Sequence, residues 1–143
     1  MLYSIGALTI DTQPFSVTDV QRSARADFAA KALIGAMPSR EFMGEGDDTL
    51  TLSGQLLPYR LGGLTELEMA HGLRQSGQRL PVLRGDGKRL GWFVIDSISE
   101  NHRDIMRDGV GFTVAHEISL VKVSPEGAST SVISTILSLF GAL

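Results

Sequence analysis

The stretch EFMGEGDDTLTLSG, residues 41–54, gathers Glu45, Asp47 and Asp48 around Gly44 and Gly46. Carboxylates that close together could hold a calcium ion, which takes roughly 6–8 oxygen ligands. A calcium loop of the EF-hand kind also needs a bidentate Glu at its end, and no carboxylate follows Asp48 before Glu66. The stretch therefore reads as a turn, permitted by its glycines, that launches a strand at Thr49. Glu68-x-x-His71 matches half of a di-iron carboxylate site. That chemistry needs a second such pair and further Glu residues on facing helices, so a hydrated helix face is the simpler reading.

Arg84-Gly85-Asp86 spells a cell-adhesion tripeptide, and Gly85-Asp86-Gly87-Lys88 resembles a fragment of a phosphate loop. The second lacks the required glycine spacing, and Arg89 stands where a magnesium-binding hydroxyl belongs; both reduce to a turn. His116 lies on an apolar strand face, where a core-edge histidine bonded to backbone is expected. His102 stands alone in a polar turn. There is no cysteine and no G-x-S-x-G elbow. No catalytic, cofactor-binding or metal-binding residue is expected, and no enzyme.

The elements that would carry these residues are mostly strands. Leu2 to Ile10 reads as one strand. Val17 to Met37 reads equally as a helix, with Thr18 and Gln21 as a capping box, or as an irregular extended segment. Thr49 to Leu57 alternates cleanly, with Leu50, Leu52 and Leu56 on one face and Thr49, Thr51, Ser53 and Gln55 on the other. Thr65 to Gln75 is helical, with Leu64, Leu67, Ala70 and Leu73 toward the core and Gly77 as the stop. Leu80–Leu83 and Arg89–Ile98 form a hairpin, and Trp92-Phe93-Val94-Ile95 reads as buried on both faces. Gly111 to Val123 alternates with Phe112, Val114, His116, Ile118 and Leu120 on one face. Beyond Pro125, Ile133, Ile136, Leu137 and Phe140 recur at helical spacing, backed by uncharged Ser and Thr. That helix either packs on its own domain or docks on a partner.

At 143 residues the chain has room for one core and little for a second. A net charge of −3 offers no basic field for nucleic acid or acidic lipid. The N-terminus lacks the charged start and long apolar core of a signal peptide, and no run approaches a membrane span, so a cytoplasmic protein, or part of something assembled there, is expected. The sum is a mainly β, α+β fold: an antiparallel sandwich or partly closed barrel with one or two packed helices.

In this order the motifs resemble the GpU tail-assembly proteins of contractile-tailed phages and related tail-like particles. The matching residues are Pro38…Phe42-x-Gly44-x-Gly46-x-Asp48-Thr49-x-Thr51-Leu52-Ser53-Gly54, then Pro58 with Gly62-Gly63-Leu64, then Gly77…Leu80-Pro81-x-Leu83. Gly85-x-Gly87-x-x-Leu90-Gly91-x-Phe93-Val94-Ile95, Ile98-x-Glu100 and Asp108-Gly109 complete the set. The family strand ends in a basic-aromatic pair, from which Lys122-Val123 departs. The resemblance implies a tail-tube-like β domain over 1–123, followed by a linker and helix over 124–143. It also implies a ring-forming structural protein of the virion tail, hexameric, at the junction of inner tube and baseplate hub. Its partners would be copies of itself and the tube and hub proteins, with no specific nucleic-acid binding and no membrane. Interface residues on this reading are Glu45, Asp47 and Asp48, and Ile133, Ile136, Leu137 and Phe140. A tail-borne carbohydrate- or peptidoglycan-binding module is the alternative, and it would need aromatics exposed in a groove.

Overall fold

Alternation at Leu50, Leu52 and Leu56 fixes the register of the sheet: all three are buried, with Thr49, Thr51 and Ser53 on the opposite face. The computed structural model describes residues 2–11 and 15–125. Its elements are β1 (Tyr3–Ile5), β2 (Leu8–Ile10), β3 (Asp19–Lys31), β4 (Ser39–Leu56), α1 (Leu64–Ser76), β5 (Leu80–Arg84), β6 (Arg89–Ile105) and β7 (Gly111–Val123). The strands form one antiparallel sheet in the order β2-β1-β5-β6-β7-β4-β3. The mainly β fold with a packed helix is as expected, and the sheet does not close into a barrel.

The sheet curls around its core. Phe15 follows β2 closely, with the Asp11 N–H bonded to its carbonyl, yet its ring stacks on His116 of β7 at 4.6 Å. In a flat sheet β2 and β7 would stand about 19 Å apart, so twist and coiling bring them face to face. The chain then passes to β4, where the Thr18 N–H donates to the Ser53 carbonyl at 2.9 Å and the Ser16 hydroxyl to the Gln55 carbonyl at 3.0 Å. Ile5, Leu8, Ile10, Phe15, Leu52, Phe93, Ile118 and Leu120 thereby share one core. Each such side chain contributes roughly 1.5–3 kcal/mol by leaving water. Helix α1 covers that core with Leu67 and Ala70, and ends where Gly77 adopts a left-handed conformation and its N–H meets the Arg74 carbonyl at 3.3 Å.

Several elements differ from expectation. Leu2–Ile10 is two short strands that turn back at Gly6–Ala7, pairing Tyr3 with Ile10 and Ile5 with Leu8. Of the two forms open to Val17–Met37, the extended one holds: Asp19–Lys31 is strand β3, paired with β4 from Asp19↔Ser53 to Lys31↔Ser39. Its alanines favour helix locally, and a full-length partner strand overrides that weak preference. Residues 41–48 are not a loop either; they lie within β4. Their glycines serve two bulges, opposite Ala24–Ala26 and Asp27–Phe28, and Gly44 has φ 111°, which a side chain would resist. Within β6 only one face is buried: Phe93 and Ile95 face the core, while Trp92 is 40% exposed. Strand β6 also runs past Ile98 to Ile105, so His102 belongs to a strand and not to a turn.

Candidate assembly interface

The three histidines surround Glu100. His71 Nε2 of α1 lies 3.1 Å from Glu100 Oε1, and His102 Nε2 lies 3.4 Å from Oε2. The Gly111 N–H donates to His102 Nδ1 at 3.0 Å, which leaves the ring hydrogen on Nε2, aimed at Glu100. A metal-ligating histidine donates its second nitrogen to an acceptor, and that of His102 faces a donor. The arrangement ties α1 to the β6–β7 hairpin. Among the described residues no group of three or more His, Asp or Glu could hold an ion. The sequence suggested a hydrated helix face at Glu68 and His71, and His71 instead meets Glu100 across the fold.

His116 is a core-edge histidine bonded to backbone, as read: its Nε2–H donates to the Ser16 carbonyl at 2.8 Å. Nδ1 is buried with no partner among the described residues. Burial lowers the pKa of the imidazole below the ordinary 6.5, against the opposing pull of the Ser16 carbonyl and the Glu100 charge. Around pH 6 the unfolded chain takes up a proton that the folded chain declines. The contribution of His116 to stability is therefore complete above about pH 6.5 and is lost as pH falls toward the lowered folded value. Unfolding midpoints measured from pH 7.5 to 5 should fall, and His116→Leu should flatten that slope. A slope unchanged by the substitution contradicts this.

The adhesion-like tripeptide makes a turn, as read. Arg84 grips Asp86 through Nε–Oδ1 at 3.0 Å and Nη2–Oδ2 at 2.7 Å, and the Lys88 N–H adds a third bond at 3.1 Å. These hydrogen bonds bring the Asp86 carboxyl down to about 2.

The outer part of the β3–β4 ribbon is an exposed apolar surface. Strand β7 pairs with β4 only from Thr49 onward, so among the described residues β3 is the sole partner strand of residues 39–48. Ten residues carry this arm about 30 Å beyond the sheet. Phe28 and Phe42 meet edge to face at 5.6 Å across it. Both are exposed, together with Leu33, Ile34, Met37 and Met43, and Ile34 has no cover at all at 105%. Glu45 and Asp47 lie exposed on this arm, and Glu45 approaches Lys122 Nζ at 3.7 Å. Asp48 turns inward: it is buried and bonded to Arg22 at 2.9 and 3.3 Å. Ile133, Ile136, Leu137 and Phe140 lie outside the described residues. Sequence reasoning missed the arm; its signal was two segments of matching length around the apolar turn ALIGAMP, residues 32–38.

The sheet face opposite the core is also distinctive. Rows across β3, β4, β7 and β6 read Asp19-Ser53-Glu117-Ser99 and Gln21-Thr51-Ser119-Ser97. That surface carries hydroxyls, amides and two acids, with no cation in either row.

Among the described residues the chain is a curled antiparallel sheet with one covering helix and a long two-stranded ribbon. Over residues 6–124 the sequence matches the family model of phage P2 GpU. The chain belongs to the phage P2 GpU family. As a GpU-family protein it is a structural component of the virion tail. Among solved structures, a chain of the virion of a native gene transfer agent particle shares the fold. It has 16% identity and a TM-score of 0.50, over 76% of this chain and 80% of that one. A chain from the tail of an empty particle of that agent, computed with helical refinement in C6 symmetry, aligns over 76% and 78% at 16% identity and a TM-score of 0.47. No curated protein matches the GpU chain.

Proposed function

We propose that this GpU-family chain forms a six-fold ring at the junction of inner tube and baseplate hub, in a tail built in the host cytoplasm, and carries out no catalysis. The exposed β3–β4 arm carries this reading. A two-stranded ribbon is marginal on its own, and one bearing Phe28, Ile34, Met37 and Phe42 in water gains by seating on a neighbour. Strand β3 ends the sheet, and its outer edge has no partner strand among the described residues. A closed ring pairs such edges and removes the risk of open-ended aggregation. The polar, cation-free rows across β3, β4, β7 and β6 suit the wall of a bore. Acids repel phosphate, and without Lys or Arg a passing duplex finds no counter-charge to hold it.

Light scattering of the purified chain, alone and with tube and hub proteins, tests the proposal. A discrete oligomer, or stable co-purification with those proteins, is expected. A compact monomer indifferent to both overturns it.

A further inference from the structure

The face of the sheet that carries the core extends beyond it at both ends. Val20 pairs with Leu52 and Arg22 with Leu50, so β3 turns these residues and their alternates toward the core side. Farther out that face holds Ala24, Ala26, Phe28 and Ala30, which have little bulk apart from one ring, and Phe28 meets Phe42 there. At the opposite end Leu56 pairs with Val114, and Phe112, two residues before it, shares the face of buried Val114. The Phe112 ring stacks on Tyr59 at 6.5 Å with the planes 9° apart, and the Tyr59 hydroxyl donates to the Asp108 carboxylate. Leu61 lies in the turn that carries Tyr59, and Ile105 and Met106 stand at the hairpin turn that carries Asp108; all three are exposed. Twelve of the fourteen exposed large hydrophobic side chains among the described residues belong to these two ends.

We infer that the β3–β4 arm of one copy seats on the Tyr59–Phe112 patch of the next copy. The arm tip and the patch lie about 55 Å apart along β4, too far for one chain to join its own. Bulk is complementary: the alanines of β3 leave hollows beside Phe28, and Tyr59, Ile105, Met106 and Phe112 supply side chains that fill them. Area suffices. A half-exposed ring shows about 100 Å², so the twelve side chains offer about 1,200 Å², the lower bound of a stable interface. Charge agrees as well: residues 57–62 and 103–111 hold three Arg against two Asp, and residues 24–47 hold four acids against three bases. The stack and the Asp108 bond fix Tyr59 before any partner arrives, which limits the ordering lost on contact. A contact between unlike surfaces repeats head to tail, and either closes into a ring or runs on as a filament. The inference rests on the ring proposed above for that closure alone.

The chain has no cysteine, so disulfides report contacts cleanly. Chains carrying Ile34→Cys or Met37→Cys are mixed in turn with chains carrying Ile105→Cys or Met106→Cys and oxidised, alone and with tube and hub proteins. At least one mixed pair should cross-link about tenfold faster than either chain with itself, as a standing contact requires. Ile105→Asp with Met106→Asp should also block assembly, as Ile34→Asp with Met37→Asp does, without lowering Tm. Mixed at high concentration, the two blocked chains should form dimers and stop there, because one intact arm and one intact patch remain between them. Arms that link only to arms, or blocked chains that stay monomeric on mixing while the parent assembles, overturn the inference and leave the ring standing. Mixed cross-links within open filaments support the inference and overturn the ring. A parent chain that stays monomeric with and without the tail proteins overturns both.

Discussion

Placing Asp at both Ile34 and Met37 should abolish incorporation of the chain into tails while leaving its own fold intact. Both side chains sit at the arm tip, 105% and 87% exposed, and neither belongs to the core. The isolated variant should therefore melt within about 2 °C of the parent, as surface changes do in a domain of this size. Apolar anchors at the centre of an interface each contribute roughly 2 kcal/mol or more. Losing two weakens each contact by about 4 kcal/mol, or about a thousandfold, and a closed ring repeats that loss at every junction. Tail yield and sedimentation of the purified variant measure the two effects separately. Normal tails carrying the doubly substituted chain would show that the arm touches nothing essential.

Gly54→Ala should be the most damaging single methyl group in the molecule. Gly54 lies in β4 opposite His116, and a Cβ there would meet the Ser16 carbonyl oxygen at 2.2 Å and Val17 Cα at 2.9 Å. Those are backbone atoms of the segment that carries the chain from β2 across β4 into β3. They cannot withdraw without loosening the Thr18–Ser53 and Ser16–Gln55 hydrogen bonds and the Phe15–His116 stack. The expected cost is about 3 kcal/mol, a fall of roughly 10 °C in Tm. Gly72→Ala is the control. Gly72 lies within α1 with nothing inside 4 Å of its virtual Cβ, and alanine there should stabilise the helix by roughly 0.5–1 kcal/mol. Thermal melts of the two variants should move in opposite directions, and parallel shifts would refute the close approach at Gly54.

What could be read in the sequence is what local pattern alone determines. Leu50, Leu52 and Leu56 announce a half-buried strand because alternation is a property of a single strand. Leu64, Leu67, Ala70 and Leu73, closed by Gly77, announce α1 in the same way. Strand β3 gives no such signal. It is exposed on both faces over nearly its whole length, so no apolar periodicity marks it, and only its pairing with β4 makes it a strand. The arm was hidden for the same reason, and the acidic stretch 41–48 looked like a loop because its glycines serve bulges in a ribbon. Trp92 misleads differently: an apolar run suggests cover on both faces, whereas the described strands and helix cover only the Phe93 side. The gathering of His71, His102 and His116 around Glu100 joins α1, β6 and β7, and no spacing along one element could announce it. The motif order that resembles GpU survives these local errors because it rests on residue types and their spacing along the chain, which do not change when Phe42 to Gly54 proves to be strand and not loop.

Electron microscopy of intact tails carrying a tagged copy of the chain tests the assembly role most directly. Six copies in one closed ring are expected where tube meets hub. Their arms should be seated on neighbouring subunits, and the Asp19-Ser53-Glu117-Ser99 row should face the bore. Complete tails that lack the chain, or that carry it as single copies outside the tube wall, would contradict it.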